Sequence, residues 1–333
     1  MNAGERVMAA LTGQVPDRPP KTALFSLYGA KLAEVPLDEY YRDPRAYVRG
    51  QIAACETFQP DIVFSPFAFA LFGGAFRGEL KRHANMAPVL LRPGVGRCAD
   101  IDHIQFPDVD SNQHLIYFRE AVRHLRSTLG PEVPIAAPSL TPLDLPAMVY
   151  GLETWTDAFL FDVDAVRRTL DRIVPFFVAW SNALLADGAA CIVMPAAFVS
   201  PAILPPQVVA ERCLPILSDA FRQVKGALVM HHGGSTMLPL LPFWKNLPAN
   251  VVAFAIAEND DPTQARALLG AERVIMTGPD AVGFPRRSPG EIQEQARRLA
   301  AIARENPRFI MTTTGPDLPW TTPRETVAAW FDA

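Results

Sequence analysis

Cysteine is scarce in this sequence: Cys55, Cys98, Cys191 and Cys213 are the four among 333 residues, and no two form a Cys-x-x-Cys pair. Such spacing excludes a disulfide framework and a zinc clip, and fits isolated reduced thiols buried as small apolar side chains. An excess of one charge is also missing, since 31 Lys and Arg face 35 Asp and Glu for a formal net charge of −4. Bases and acids interleave, as in Arg77, Glu79, Lys81 and Arg82. That pattern excludes a polyanion-binding tract, so no nucleic-acid partner is expected. No apolar stretch reaches the ~18 residues of a membrane span. The opening residues carry Glu5 and Arg6 before a short apolar turn, unlike a secretory leader. The expectation is a soluble, cytoplasmic protein that does not enter a membrane. Glycine-rich phosphate loops are absent too: Gly94 and Gly96 run into Arg97-Cys98, so neither a Gly-x-Gly-x-x-Gly fingerprint nor a Gly-x-x-x-x-Gly-Lys loop is completed. Nucleotide cofactors are therefore not expected, and without a Gly-x-Ser-x-Gly elbow nucleophilic hydrolysis has no specific support.

What is abundant is proline, at 32 residues, close to twice the average usage of ~5%. The prolines punctuate short β-prone apolar runs that alternate with stretches of helical period. Eight such runs stand out: Lys21–Leu27, Asp61–Phe64, Pro134–Ala137, Ala190–Met194, Ala227–His231, Val251–Ala257, Arg273–Met276 and Phe309–Thr312. They are apolar on both parities, as strands covered on both faces of a parallel sheet are. Alternating β and α predicts an α/β fold, and eight units predict a single (β/α)8 TIM barrel over residues 1–333. Helix signals lie between the runs. Asp43-Pro44 opens a helix through Phe58, Asp164 can cap Ala165–Trp180, Ser288 and Glu291 form a capping box, and Thr322 and Glu325 repeat that signature.

In a barrel, ligands meet polar groups just past the strand ends. Those groups are Ser26 and Tyr28 after the first run, Ser65 after the second, His231 and His232 after the fifth, and Glu258, Asn259, Asp260 and Asp261 after the sixth. The His231-His232-Gly233-Gly234 segment is the sharpest signal, because two imidazoles precede glycines that let backbone approach a ligand. The competing reading turns one ring into the core and leaves the other solvated. Glu258, Asp260 and Asp261 could raise one another's pKa or welcome a cation, whereas Asp261-Pro262 is also an ordinary helix start. Phe64, Phe67, Phe69, Phe72 and Phe76 make either a wall for a planar ligand or plain core.

Four groups of fragments follow one another along the chain: Glu5–Gly13 with Asp17-Arg18-Pro19-Pro20, Asp43-Pro44 and Gln51, Ser139–Pro142 with Tyr150-Gly151-Leu152-Glu153, and Thr322-Pro323-Arg324-Glu325. In the order of these fragments the whole chain resembles the uroporphyrinogen decarboxylase superfamily, which includes methylcobamide-dependent methyltransferases of the coenzyme M type. The resemblance implies a (β/α)8 barrel with its site at the strand C-termini. A porphyrinogen decarboxylase is disfavoured, because the loop after the first run has no arginine before Arg42 to hold ligand carboxylates. The methyltransferase branch implies a zinc site of His-x-Cys-Gly plus a later Cys. Here His231 falls on its His and Gly234 on its Gly, while Gly233 and Pro316 stand in place of the two cysteines. Glu258 falls near a carboxylate that can complete such sites.

The resulting expectation is a corrinoid-linked methyltransferase or demethylase-like enzyme acting on a small methyl donor or acceptor, with the corrinoid on a separate corrinoid-binding protein or free. His231 and Glu258 are the catalytic candidates, and Tyr28, Ser65, Phe67, His232 and Asp260 are candidate substrate-binding residues. Any zinc or other divalent metal would use His231, His232 and Glu258 and no cysteine. The alternatives are a decarboxylase or lyase on a carboxylated ring substrate and a non-catalytic binding barrel.

Overall fold

The computed structural model describes Met1–Ala333. Its strands are β1 (Val63–Phe64), β2 (Glu79–Lys81), β3 (Val89–Arg92), β4 (Ile135–Pro138), β5 (Cys191–Pro195), β6 (Ala227–His231), β7 (Val251–Ala255), β8 (Val274–Thr277) and β9 (Phe309–Met311). Seven make one curled parallel sheet in the order β1-β4-β5-β6-β7-β8-β9, while β2 and β3 pair as a separate antiparallel hairpin. Seven of the eight expected runs thus become neighbouring strands in chain order, with helices on the outer face.

The eighth does not. Lys21–Leu27, expected as the first strand, contributes one bridge, Lys21 with Met311, so the sheet has seven strands rather than eight. The segment still lies between the two sheet edges. Thr22 N–H donates to Met311 O, Met311 N–H to Pro20 O and Asp61 N–H to Lys21 O, each at 2.8 Å. Side chains then displace main-chain partners: the Thr22 hydroxyl donates to Ile62 O (2.6 Å) and Leu24 N–H to the Thr313 hydroxyl (3.1 Å). Pro20 has no N–H to offer at all. Threonine hydroxyls and a proline thus interrupt the consecutive bonds that a ladder requires.

Side-chain alternation sorts the core. In β6, Leu228 and Met230 face the helices, whereas Val229 joins Leu24, Phe64, Ala136, Val193 and Ala253 inside the curl. His231 shares the parity of Val229, and Ser26 that of Leu24. Both therefore top the interior at its C-terminal mouth.

Helix starts follow the sequence signals in part. Asp43 caps Pro44–Phe58, and the Ser288–Glu291 box caps Pro289–Glu305. Asp162, not Asp164, caps Val163–Ala186, a helix longer than expected. The second box fails: Arg324–Phe331 has no side-chain cap, because Thr322 is drawn inward and its carbonyl accepts the Tyr28 hydroxyl (3.1 Å) and the Lys31 ammonium (2.8 Å). No helix is long and apolar enough to cross a membrane.

One buried carboxylate fastens the first segment. Asp61, 1% exposed, accepts Lys21 N–H at 2.7 Å and is paired with Arg6 and Arg18. Asp61→Ala would strand the buried Lys21 N–H and take one carboxylate from Arg18 and from Arg6, which keeps Asp17, an expected loss of about 2 kcal/mol. Urea unfolding followed by circular dichroism measures it, and a loss under ~1 kcal/mol, the worth of a surface pair, would refute the anchoring role.

Candidate active site

At the end of β6, His231 lies in register between Pro195 of β5 and Ala255 of β7. Its Nδ1 accepts the Gly233 N–H at 3.1 Å. In the neutral ring the proton therefore sits on Nε2, which is left to face the mouth. The His232 ring stacks on it with centroids 4.3 Å apart and planes 28° from parallel. His232 is buried, with Nδ1 at 3.0 Å from Gly234 N–H and Nε2 at 3.0 Å from Gly315 N–H. A neutral imidazole has one acceptor nitrogen, so it satisfies one of these donors at a time. Burial, then the neighbouring His232, pushes the His231 pKa well below the usual imidazole value, and burial also lowers that of His232 despite Asp260 and Asp280 nearby. Both rings are neutral at pH 7, and the fold loses stability as pH falls below about 6.5, where the unfolded imidazoles take up protons that the folded ones resist.

The second catalytic candidate, Glu258, is turned away from this pair. Its oxygens accept Arg287 at 2.6 and 2.8 Å, Gln295 at 2.8 Å and the Asp280 N–H at 2.8 Å. Burial alone would raise its pKa, but Arg287, Asp280 N–H and Gln295 outweigh burial and hold it below the usual value. It faces an outer crevice of about 330 Å³ shared with Asp260, Thr263 and Arg298. Asp260 is 3% exposed and accepts Met237 N–H (2.8 Å) and the Thr236 hydroxyl, fastening the loop after β6 to that after β7. Asp261 caps Pro262–Leu269. These three carboxylates hold loops, and no group of three or more His, Cys, Asp or Glu is arranged to hold a metal ion. The expected set of His231, His232 and Glu258 is not assembled.

A thiolate zinc centre does not fit this chain either. Gly233 adopts φ +64°, and a Cβ there would stand 2.6 Å from Ala197 N and 2.7 Å from Ala196 C. Burial pushes the thiols of Cys55 and Cys98 up to about 11 and those of Cys191 and Cys213 up to about 12, away from thiolate character.

Across the mouth, Ser26 and Ser65 are both buried. Ser26 Oγ accepts Phe67 N–H at 2.8 Å. Phe67 is half-buried, edge-on to Phe64 and Phe69 at 5.3 and 5.6 Å, so it remains a wall of the mouth, whereas Phe72 and Phe76 are core. Tyr28 is not in the mouth: it is fully buried, its hydroxyl given to Thr322 O. Two further residues join Ser26. The Asp317 carboxyl lies beside the Leu27 and Ser26 N–H groups and the Ser26 hydroxyl, and burial raises its pKa to about 8 against their influence. Tyr41 is 2% exposed. Its hydroxyl, Ser65 Oγ and Asp317 Oδ1 are buried without hydrogen-bond partners. Asp317 lies five residues past the last apolar run, farther on than the polar groups that directly follow a run, and Tyr41 follows no run, so nothing in the sequence marks it.

The fold and this mouth define an α/β protein whose ligand-facing groups sit at the C-terminal ends of a curled parallel sheet. Residues 2–333 match the model of the uroporphyrinogen decarboxylase (URO-D) family, and the chain belongs to that family. Methylcobamide:CoM methyltransferase MtaA of Methanosarcina barkeri is 23% identical over 235 residues, 68% of either chain. A methyltransferase from Methanosarcina mazei superposes with a TM-score of 0.87 at 17% identity, over 100% of this chain and 98% of that one. A B12-independent methionine synthase from a Shewanella species gives 0.56 at 13% identity, over 87% and 86%. At these identities the two structures speak for the fold alone.

Two substitutions test these placements. Tyr28→Phe is expected to cost about 1 kcal/mol of stability, leaving the Thr322 carbonyl with Lys31 alone, and to leave ligand affinity unchanged; a variant of native stability that binds ligand more weakly would return Tyr28 to the mouth. Gly233→Cys should lose at least ~2 kcal/mol, from a side chain at positive φ and its collision with backbone, and gain no zinc. Thermal unfolding with elemental analysis checks both halves, and a stable variant carrying zinc would overturn the misfit.

Proposed function

We propose that this protein is a methyltransferase of the corrinoid-linked kind, moving a methyl group between a small molecule and a cobalt corrinoid. The observation that carries the reading is the neutral, stacked His231–His232 pair at the end of β6, in a chain of the URO-D family with similarity to a methylcobamide methyltransferase. No Asp-x-His-x-x-Gly segment is present to hold a corrinoid, so the corrinoid is a co-substrate that arrives free or on a separate corrinoid-binding protein.

The chain's own contribution is to bind and orient. His231 Nε2–H donates to a lone pair of the substrate heteroatom, and Gly233 N–H on Nδ1 fixes the tautomer that allows this. His232, held to Gly315, keeps that ring in place by stacking. Phe67 shields the reacting carbon from water. A decarboxylase acting on a carboxylated ring is the weaker reading, because the groups facing this mouth supply hydroxyls, imidazoles and a carboxyl but no guanidinium to neutralise carboxylates.

The test follows cob(I)alamin absorbance with methyl donors, and the reverse with methylcobalamin and methyl acceptors. The wild-type protein should accelerate the spectral change, and His231→Ala should lower turnover by ~10² at a stability loss of about 1 kcal/mol, from the Gly233 N–H it leaves unpaired. Full activity in a folded His231→Ala variant would remove the histidine from the reaction. The absence of any spectral change with the wild-type protein would favour a binding barrel.

A further inference from the structure

Three buried polar atoms at the mouth lack partners: Tyr41 Oη, Ser65 Oγ and Asp317 Oδ1. Buried polar groups are nearly always satisfied, so an orphan is a request for a ligand. Two of the three flank one residue, and the third lies close to it along the chain. Ser26 is in reach of Asp317 and Tyr41, and it holds the N–H of Phe67, two residues beyond Ser65. The tyrosines around them are otherwise committed: Tyr47 donates to Phe64 O at 2.9 Å, and Tyr40 Oη receives Gln51 at 3.0 Å.

We propose that Ser26, Tyr41, Ser65 and Asp317 form the subsite for a neutral oxygen of the substrate, with the Asp317 carboxyl as proton donor to that oxygen when its bond to methyl breaks. The inference rests on the methyl-transfer reading above and names its substrate class, a methyl ether. The adjoining half-buried Phe67 and Phe69 fit an aromatic ring on the same oxygen. The titratable groups that feel Asp317 are Tyr40, Tyr41 and Tyr47, all held neutral by burial, and no charged side chain acts on the Asp317 carboxyl. A carboxylate or phosphate ligand would find no counter-charge there. Glu258 cannot take the role of acid, being paired with Arg287.

The step balances. The Co(I) electron pair of the corrinoid forms the bond to the methyl carbon as the carbon–oxygen bond breaks, and that bond's pair remains on oxygen. Oxygen takes the Asp317 proton and leaves as a phenol, the methyl group departs on Co(III), and solvent returns a proton to the Asp317 carboxylate. Where sulfur ligands are lacking, a proton placed on the leaving oxygen lowers the barrier by typical general-acid factors.

Two measurements decide it. Calorimetric titration of the wild-type protein with 4-methoxyphenol should show binding in the millimolar range or tighter, weakening as pH rises through about 8. In Asp317→Asn that pH dependence should vanish, and the variant should unfold at no lower temperature than wild type at pH 7, since asparagine removes a proton that the fold must otherwise retain. No binding, or a pH dependence unchanged in Asp317→Asn, would overturn the subsite. Turnover with cob(I)alamin is then compared for 4-methoxyphenol and for trimethylsulfonium, whose leaving group needs no proton. Asp317→Asn should be ~10²-fold slower with the ether and less than tenfold slower with the sulfonium. Equal losses would overturn the acid, as would wild-type turnover of the sulfonium alone. Binding that depends on Asp317 without methyl transfer from either donor would uphold the subsite and overturn the methyl-transfer reading instead.

Discussion

The seam around Lys21–Leu24 is the constraint on which the mouth depends. The segment donates to or accepts from both edges of the seven-stranded sheet, and Asp61 locks it from below through the Lys21 N–H and two arginines. Only three residues separate Thr22, bonded to Met311 and Ile62, from Ser26 in the mouth. A shift of the seam by one residue would reverse the parity of Leu24 and Ser26, moving the hydroxyl out of the interior. The geometry of the polar nest is therefore set by hydrogen bonds made at a lower level of the curl.

Much of this architecture is legible in the sequence. Runs apolar on both parities mark seven parallel strands, and β6 spans Ala227–His231, the range its composition indicates. The first run misleads because its residues are as β-prone as the others. What prevents a ladder is the use of the Thr22 and Thr313 hydroxyls in place of main-chain donors and acceptors, and periodicity carries no information about such substitution. Caps behave alike: Ser288 reads correctly, whereas Thr322 has the same motif but a carbonyl claimed by Tyr28 and Lys31 from nearly 300 residues away.

The site is less legible than the fold, for a physical reason. Proximity to a strand end identifies His231, His232, Ser65 and Phe67, but not the direction in which a side chain points after the strand ends. Glu258 and Asp260 follow β7 as His232 follows β6, yet they turn outward or downward to Arg287, Gln295 and the loop at Thr236. Asp317 turns inward because the chain after β9 crosses the mouth, bringing Gly315 to His232 and the carboxyl to Ser26.

The groups around the mouth have given up charge. Near neutrality the carboxyl of Asp317 keeps its proton while both imidazoles resist taking a second one, because burial penalises charge on either kind of group. These walls carry protons without carrying charge. A neutral molecule entering between them neither gains nor loses from ionic strength, and long-range attraction plays no part in its capture. Selection then rests on shape and on hydrogen bonds made after contact, which is how a small opening can discriminate among uncharged compounds that differ in a single oxygen.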